Sequence, residues 1–254
     1  MTYLENPGES IPRYPDQQIL YQWPKHKQLP KLPHGAFYGQ CDPFANGDEW
    51  IMVKAGAAIT GPALLTPNGV ILSNDSNTKM SRAYTKGDIR VYCQNGGSAA
   101  IAENALEGDT LHLGNNFINR ITGNSAAAAA SGSNYPEFWV ELEYPFSKDF
   151  TVQTIANIPN PWKSVKEFTS ADDKIVAALP DATTITSGYA FWAKVAGDIL
   201  VTTSAAVSKS EALQLSGTAG KVQVHAAGKQ IVAIANKAIA ANATGAATLA
   251  LGLI

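Results

Sequence analysis

Hydrophobic and polar positions alternate most regularly over the last seventy or so residues, 184–254. Short apolar stretches at 220–227, 231–235 and 248–254 are separated by glycine or asparagine, and few charges interrupt them. Alternation with a period of two is typical of half-buried β-strands, and glycine and asparagine are residues that tight turns favour. The pattern therefore predicts a compact C-terminal β domain over residues 184–254.

A second β domain is predicted over residues 35–160, where period-two alternation is again frequent. The clearest strand is 137–144, in which Trp139 faces away from the apolar side. Four side chains of this strand are expected to face a core: Phe138, Val140, Leu142 and Tyr144. Further strands are predicted at 49–53, 69–72, 88–93 and 109–113. The alanine-rich patch 125–133 is expected to be a loop, because five alanines alone cannot offset the cost of helix nucleation.

Residues 161–183 are predicted to link the two domains and to contain one short helix. Ser170 is a suitable N-cap, with Asp173 three residues later, and Pro180 would end the helix. The helix itself is expected over residues 174–179. The predicted fold class is thus mainly β, with two small sandwich-like or barrel-like domains and at most short helices.

Three Gly-Asp pairs are each followed by alternating apolar residues. They are Gly87-Asp88, Gly108-Asp109 and Gly197-Asp198. Glycine permits a positive φ, and an aspartate side chain hydrogen-bonds nearby backbone, so each pair is predicted to end a turn and to start a strand.

Residues 1–34 form a proline-rich arm. Its prolines, at positions 7, 12, 15, 24, 30 and 33, remove backbone donors and favour an extended chain, which excludes a helix or a central strand. The arm also carries large apolar side chains, which need a surface to lie on. The predicted protein-interface residues are Ile11, Tyr14, Leu20, Tyr21 and Trp23. They either wrap the chain's own domain or reach a neighbouring subunit; a plain tail without partners is the third alternative.

Composition and charge narrow the classes of function. The chain has 254 residues, a net charge of −2 and a pI of about 6.1, so we expect no general attraction to nucleic acid or anionic lipid. Charged residues make up 16%, below the usual quarter, which favours a protein that packs against copies of itself or a partner. No apolar run approaches 18 residues, so no membrane span is expected. With Cys41 and Cys93 as the two cysteines and no leader-like N-terminus, we expect a reducing compartment.

Residues suited to catalysis or metal binding are sparse. There are four histidines and no His-Glu-x-x-His or Cys-x-x-Cys spacing, so we expect no metal or cofactor site. The segment 217–221 is faintly similar to a phosphate-binding loop, but it is predicted to join strand to strand. Glu137, Glu141 and Glu143 share one strand face, where paired carboxylates suit glycosidase chemistry, although a solvated face is the simpler interpretation. No catalytic residue is predicted.

Aromatic residues are better placed for recognition than for chemistry. Tyr189, Phe191 and Trp192 share one predicted strand, and Trp139 and Trp162 lie outside the apolar pattern. Exposed tryptophan and tyrosine are enriched at protein interfaces. In a domain covered on both faces the same residues would be ordinary core, and the sequence leaves both interpretations open.

The C-terminal segments resemble the small β module of head decoration (cement) proteins of tailed bacteriophages. The resemblance rests on Gly197-Asp198, 222–227, 231–235 and 243–249, which cover the last quarter to third of the chain. It implies a non-catalytic protein of the virion surface that is made in the host cytoplasm. It also implies two partners: the major capsid protein, whose adjacent subunits it would clamp, and further copies of itself in a dimer or trimer.

A capsid decoration protein is therefore the leading hypothesis. The first alternative is a tail or fibre component that binds a glycan on the host surface. The second is a polysaccharide-active enzyme on a β scaffold, with Glu141 and Glu143 as its candidate carboxylates. We favour the decoration protein because it would act through contact over a large area, without a reactive centre. Extended arms bury much surface per residue, and many copies on one lattice gain from avidity.

Overall fold

The computed structural model describes residues 41–43, 48–73, 75–114 and 117–251, and within these ranges the chain forms strands and no helix. The strands are β1 (Cys41–Pro43), β2 (Glu49–Lys54), β3 (Ile59–Thr60), β4 (Ala63–Pro67), β5 (Lys79–Met80), β6 (Arg90–Gln94), β7 (Thr110–Leu113), β8 (Phe117–Asn124), β9 (Glu137–Leu142), β10 (Ile155–Ile158), β11 (Val165–Glu167), β12 (Ala177–Leu179), β13 (Thr184–Ile185), β14 (Ala190–Thr203), β15 (Ala212–Leu215), β16 (Lys221–Val224), β17 (Ala233–Ala235) and β18 (Thr244–Leu249). The mainly-β fold class with barrel-like sheets is confirmed. The predicted arm, residues 1–34, lies outside the described residues.

Strands β5 to β10 form a six-stranded antiparallel sheet that curls into a barrel. Its order is β10-β7-β8-β9-β6-β5. The two outer strands meet, because Met80 N donates to Gln153 O at 2.9 Å and Ile155 N donates to Thr78 O at 3.0 Å. Alternate residues point inward, as predicted for β9, and the core includes Met80, Val91, Leu111, Ile121, Phe138, Val140, Leu142 and Phe146. We call this unit the middle barrel.

Strand β14 belongs to two further barrel-like units. Its first half pairs with β2 on one side and β12 on the other, within the order β11-β4-β12-β14-β2. The ends of this order meet where Gly56 N donates to Val165 O at 2.7 Å. We call this unit the central barrel; its core includes Ile51, Val53, Leu65, Phe191 and Ala193.

The second half of β14 is part of a closed five-stranded unit, the terminal barrel. Its strands follow the order β14-β16-β15-β17-β18, and β18 pairs back with β14 from Gly197↔Leu249 to Thr202↔Thr244. The pairing of β14 with β16 is parallel, and the others are antiparallel. The core includes Ile199, Val201, Leu213, Leu215, Val222, Ala247 and Leu249.

A β-bulge marks the point where β14 passes from one barrel to the next. The register against β2 shifts between Lys194 and Ala196, and Gly197 has a φ of +101°. Lys194 Nζ lies 2.8 Å from Asp48 Oδ2 and donates to Asp198 O at 2.8 Å, so its ammonium ties together the chain on both sides of the bulge. A bulge increases local twist, which turns the second half of the strand into a different sheet.

All three glycines of the Gly-Asp pairs have a positive φ, as predicted. The φ angles are +102° at Gly87, +82° at Gly108 and +101° at Gly197. The first two lie just before β6 and β7, which confirms their role ahead of a strand. The third differs, because Gly197 lies inside β14, where the bulge rather than a turn requires its conformation.

The helix predicted over residues 174–179 is wrong, because Ala177–Leu179 is strand β12. Contacts of the predicted cap do form without a helix after them: Asp173 Oδ2 accepts hydrogen bonds from Thr169 N at 2.7 Å and from Ser170 N at 2.9 Å. However, β12 is fully buried between β4 and β14. Pairing with two neighbouring strands outweighs the local helix signal, since alanine and leucine are tolerated in either structure when they are buried.

Three strand details also differ from the predictions. Residues 69–72 form no strand, because the Asn157 side chain, rather than a neighbouring strand, accepts from Leu72 N and donates to Val70 O. Strand β9 ends at Leu142, so Tyr144 faces solvent instead of the core. The last strand begins at Thr244, four residues before its predicted start, and ends at Leu249. By contrast, the patch 125–133 contains no helix, as predicted.

The middle barrel is inserted into the central barrel. Strands β4 and β11 flank the insertion in sequence and pair with each other, with Val165 opposite Pro67. Asn68 N donates to Ser164 O at 2.7 Å, so the chain leaves and re-enters the central barrel at one place. The predicted domain boundaries at residues 34, 160 and 183 stay predictions. In the sheets, β2 and β4 pair with β14 and β12, which come from beyond residue 160.

A buried ion pair holds this junction. Lys163 Nζ lies 2.7 Å from Asp109 Oδ1 and also donates to Ala105 O and Glu107 O, and both charged side chains are almost inaccessible to solvent. Asn157 Nδ2 donates to the other carboxylate oxygen of Asp109 at 2.8 Å. Burial raises the pKa of Asp109 and lowers that of Lys163, while their mutual contact opposes both shifts.

We expect Gly197→Ala to destabilise the chain by about 3 kcal/mol, because an added Cβ would collide with the Asp48 carboxylate at a φ that non-glycine residues rarely adopt. The matched control is Gly87→Ala, which has the same φ but no atom within 4 Å of the added Cβ. It should lose only about 1–2 kcal/mol. Urea unfolding of both variants measures the difference; equal losses would contradict a close contact at the bulge.

Lys163→Met should lower the free energy of unfolding by about 3–5 kcal/mol, because it leaves the buried Asp109 charge unpaired. Adding Asp109→Asn should recover part of this loss, since no unpaired charge then remains. Denaturant unfolding of the single and double variants gives the coupling free energy. Lys229→Met, which breaks the exposed pair with Asp172, is the control and should change stability least. Additive losses at Lys163 and Asp109 would argue against the buried pair.

Candidate interaction surface

Large apolar side chains are exposed on the outer face of the middle barrel. Ile118 on β8 and Ile158 on β10 point outward on either side of β7 and are 61% and 54% exposed. Tyr144, two residues after β9, is 66% exposed. Apolar side chains grouped on one outer face, in contrast to single exposed ones, are typical of sites that contact another molecule.

Two of these side chains border a shallow groove of about 360 Å³. We call it the Tyr144 groove; its lining includes Thr110, Phe117, Ile118, Arg120, Tyr144 and Pro145. Asn119 fixes one wall, because its side chain donates to Tyr144 O at 2.6 Å and accepts from Tyr144 N at 3.3 Å. The amide thus holds the Tyr144 backbone on β8 and leaves the ring exposed.

The floor of the groove is rigid because it rests on packed aromatic rings. The Phe117 ring lies 4.9 Å from Phe146 and 5.0 Å from Phe150, measured between centroids, and Phe146 and Phe150 lie 4.8 Å apart. Phe146 and Phe150 are buried in the core. Tilted and edge-on pairs at these separations are favourable arrangements for aromatic rings. The groove is therefore preformed and does not depend on an exposed loop for its base.

Arg120 lines one side of the groove, and Glu143 adjoins it. Glu143 N donates to Arg120 O at 2.9 Å, so an acidic and a basic residue, both exposed, stand next to each other on neighbouring segments. A rim with both signs of charge suits a ligand segment that carries an acid and a base close together.

A row of cations and aromatic rings covers the neighbouring part of the same barrel. The Arg90 guanidinium lies 4.5 Å from the Trp139 ring centroid, and Arg82 lies 4.6 Å from that of Tyr92. Tyr92 and Trp139 are directly opposite each other on β6 and β9. Trp139 does face away from the core, as predicted, but Arg90 covers it and leaves it only half-exposed. Cation–π contacts of this kind stabilise an outer sheet face.

The remaining aromatic candidates belong mostly to the core. Phe191 and Trp192 on β14 are buried, and Trp162 is partly buried against the central core, as is Tyr189. For Phe191 and Trp192 the two open interpretations are thereby resolved in favour of core packing. The five predicted interface residues of the arm are Ile11, Tyr14, Leu20, Tyr21 and Trp23; all of them lie outside the described residues.

The candidate carboxylates do not converge in a cleft. Glu141 Oε1 lies 3.3 Å from Arg90 Nη2 across the β6–β9 pair, and Glu143 is exposed beyond the end of β9. Over the described ranges, no three His, Cys, Asp or Glu side chains are grouped so that they could hold a metal ion. Cys93 points into the middle barrel, where burial raises the pKa of its thiol and thus disfavours the reactive thiolate. The segment 217–221 joins β15 to β16 as a hairpin, in agreement with the prediction.

The alternation of residues along the chain does not reveal the exposure of Ile118 and Ile158 or the outward position of Tyr144. Burial alternates along residues 117–120 as it does in other strands, but here the polar Asn119 is buried and the apolar Ile118 is exposed. Asn119 is buried because its amide satisfies the Tyr144 backbone, a contact between residues 25 positions apart. A reader of the sequence alone would assign the opposite faces.

Comparison with protein-family models, with curated proteins and with solved structures found no match to this chain. Within the described ranges, no helix is long and apolar enough to span a membrane.

Tyr144→Ala should leave the free energy of unfolding within about 0.5 kcal/mol of the parent chain, because the ring is mostly exposed and Asn119 bonds only its backbone. Phe146→Ala, two residues away, should lose about 3–5 kcal/mol, because that ring is buried among Tyr84, Phe117 and Phe150. Thermal or urea unfolding measures both. A large loss for Tyr144→Ala would mean that the ring is structural and not available for contact.

Proposed function

We propose that this chain is a virion structural protein, a decoration (cement) protein that binds the outer surface of a tailed-phage head and stabilises contacts between capsid subunits. In this role it acts by adhesion and catalyses no reaction. Its partners are the major capsid protein and further copies of itself, in a dimer or trimer. It is made in the host cytoplasm and ends on the capsid surface, with no contact to nucleic acid or membrane.

The observation that carries the proposal is the terminal barrel. Every segment on which the resemblance to decoration proteins rests lies in it or in the turns that join its strands: Gly197-Asp198 on β14, 222–227 on and after β16, 231–235 with β17, and 243–249 with β18. Its five strands close on themselves through the β14–β18 pairing. A closed barrel has no free edge, which suits a module that must stay folded while it is crowded against many neighbours.

The outer face of the middle barrel supports adhesion as the mode of action. The exposed Ile118, Tyr144 and Ile158 add apolar contact area on a rigid sheet. Aromatic and aliphatic anchors of this type provide most of the free energy of binding in protein interfaces. Many copies on one lattice need only weak contacts each, because simultaneous engagement multiplies the overall affinity.

The arm supplies the predicted contact with the shell. Residues 35–40 separate it in sequence from β1, which pairs with β2 at Cys41↔Ile51 through Pro43↔Glu49. Its candidate anchors are Ile11, Tyr14, Leu20, Tyr21 and Trp23. An extended, proline-stiffened segment loses less conformational freedom on binding than a flexible one, which favours affinity per unit of contact area.

Deletion of residues 1–34 should abolish binding to phage heads and leave the barrels folded. The measurement is co-sedimentation of the purified chain with heads that lack it, together with electron microscopy of the decorated shells. Circular dichroism and the urea midpoint of the truncated chain check that the fold is retained.

A full-length chain with Leu20, Tyr21 and Trp23 replaced by serine is the matched variant, because it keeps the length and the prolines of the arm. It should bind heads about tenfold or more weakly, as expected when central apolar anchors are lost. Decoration by the truncated chain at the level of the parent would contradict the arm as the docking element. Binding of neither chain to any head would contradict the proposed function itself.

A further inference from the structure

The Tyr144 groove combines features of a site for a proline-rich segment. Its walls are an exposed tyrosine ring, a proline and an isoleucine, and its floor is the Phe117 ring. Aromatic-lined grooves bind segments of the form Pro-x-x-Pro, because the polyproline II helix has three residues per turn and presents both prolines on one side. Such a ligand is extended before it binds, so little conformational freedom is lost.

The chain itself carries a segment with this spacing and with matching charges. Residues 11–16 read Ile-Pro-Arg-Tyr-Pro-Asp, so Pro12 and Pro15 have the required separation. Arg13, between the two prolines, provides a positive charge, and Asp16, directly after Pro15, provides a negative charge. Arg120 lines the groove, and the exposed Glu143, whose backbone N donates to Arg120 O, stands beside it, so the complementary pair of charges is present at this side. Opposite charges placed in this way fix the direction and register of a bound segment.

A second Pro-x-x-Pro sequence, Pro30-Lys31-Leu32-Pro33, fits less well. It has a cation but no acidic residue nearby, since His34 and Gly35 follow it. It also lacks an aromatic side chain between its prolines. The charges at the rim therefore favour residues 11–16 and make residues 30–33 a natural control.

The length of the arm allows residues 11–16 to reach another molecule. Residues 16–40 separate Pro15 from β1 at Cys41. An extended chain of that length spans about 80 Å, whereas a folded chain of this size has a radius of gyration of about 18 Å. The segment can thus extend well beyond its own barrels.

We propose that residues 11–16 of one copy dock in the Tyr144 groove of a second copy. Pro12 and Pro15 pack against Tyr144, Phe117 and Ile118, while Arg13 pairs with Glu143 and Asp16 with Arg120. The contact is heterologous, because the arm of one copy meets the groove of another, and such contacts join more than two copies when each copy offers both elements.

This inference deepens the proposed function and rests on it only in assigning the arm to protein contacts. Ile11 and Tyr14 then serve self-association, and Leu20, Tyr21 and Trp23 remain for the shell. The two roles fall on separate parts of the arm, so they are separable by substitution.

The first test is binding of a fluorescent peptide of residues 9–18 to the full-length chain carrying Pro12→Ala and Pro15→Ala, whose own segment no longer competes. Fluorescence anisotropy should show saturable binding that is about tenfold weaker when Tyr144→Ala is added to the receptor. Ile71→Ser, which removes an equally exposed side chain outside the groove, should not change it. A peptide of residues 28–36 should bind much more weakly.

A charge exchange tests the assigned register. Arg13→Glu in the peptide and Glu143→Arg in the receptor should each weaken binding, and the two together should restore a large part of the affinity. If neither substitution changes the affinity of the peptide, Arg13 does not pair with Glu143.

Sedimentation velocity tests whether the contact joins two copies. A chain with Tyr144→Ala and a chain with Pro12→Ala and Pro15→Ala should each stay monomeric, and their mixture should form a heterodimer, since it contains one intact arm and one intact groove. The parent chain, which has both elements intact, should form larger species. Peptide binding by a parent chain that remains monomeric at high concentration would mean that the arm folds back on its own groove, and would overturn the proposal. Absence of peptide binding, or groove binding of an oligosaccharide instead, would also overturn it.

Head binding separates this inference from the proposed function. Tyr144→Ala should impair self-association while the chain still binds heads through residues 20–23. If the parent chain self-associates but does not bind heads, the proposed function is wrong and the docking of residues 11–16 in the groove is still supported.

Discussion

The structure depends on one long strand that is shared between two barrels. Strand β14 pairs with β2 and β12 over its first half and with β16 and β18 over its second half, so the two cores are joined by continuous backbone. The bulge at Lys194–Gly197 makes this possible, because it changes the direction of the strand without ending it. Neither barrel can move far relative to the other unless hydrogen bonds of β14 are broken. The sharing of β14 therefore connects the two cores rigidly.

Much of the fold could be predicted from the sequence because alternation along a strand is a local property. Phe138, Val140 and Leu142 are buried on β9 as their spacing indicates, and the glycines of the Gly-Asp pairs have the expected positive φ. What could not be predicted depends on distant partners. The sequence predicts a helix where β12 forms, because the two strands that pair with it, β4 and β14, come from positions far apart in the chain. Likewise, the insertion of one barrel into another leaves no local signal.

The candidate surface was less predictable than the fold for a related reason. Burial of Asn119 and exposure of Ile118 reverse the usual assignment of polar and apolar faces. The reversal depends on the hydrogen bonds between Asn119 and the Tyr144 backbone, which no pattern in residues 117–124 reveals. The Pro-x-x-Pro spacing of residues 12–15 is a sequence feature, but only the structure places Arg120 and Glu143 beside an aromatic-lined groove.

The junction at Pro67 and Val165 has a consequence for how this architecture changes over evolutionary time. Because the middle barrel enters and leaves through adjacent backbone positions, it resembles a cassette whose replacement would leave the host barrel's pairing intact. A replacement module would also need an acidic residue at the position of Asp109, because the buried Lys163 would otherwise have no carboxylate partner. A module exchanged at this junction would carry its whole outer face, the Tyr144 groove included, and would leave the strand pairing of the central barrel unchanged.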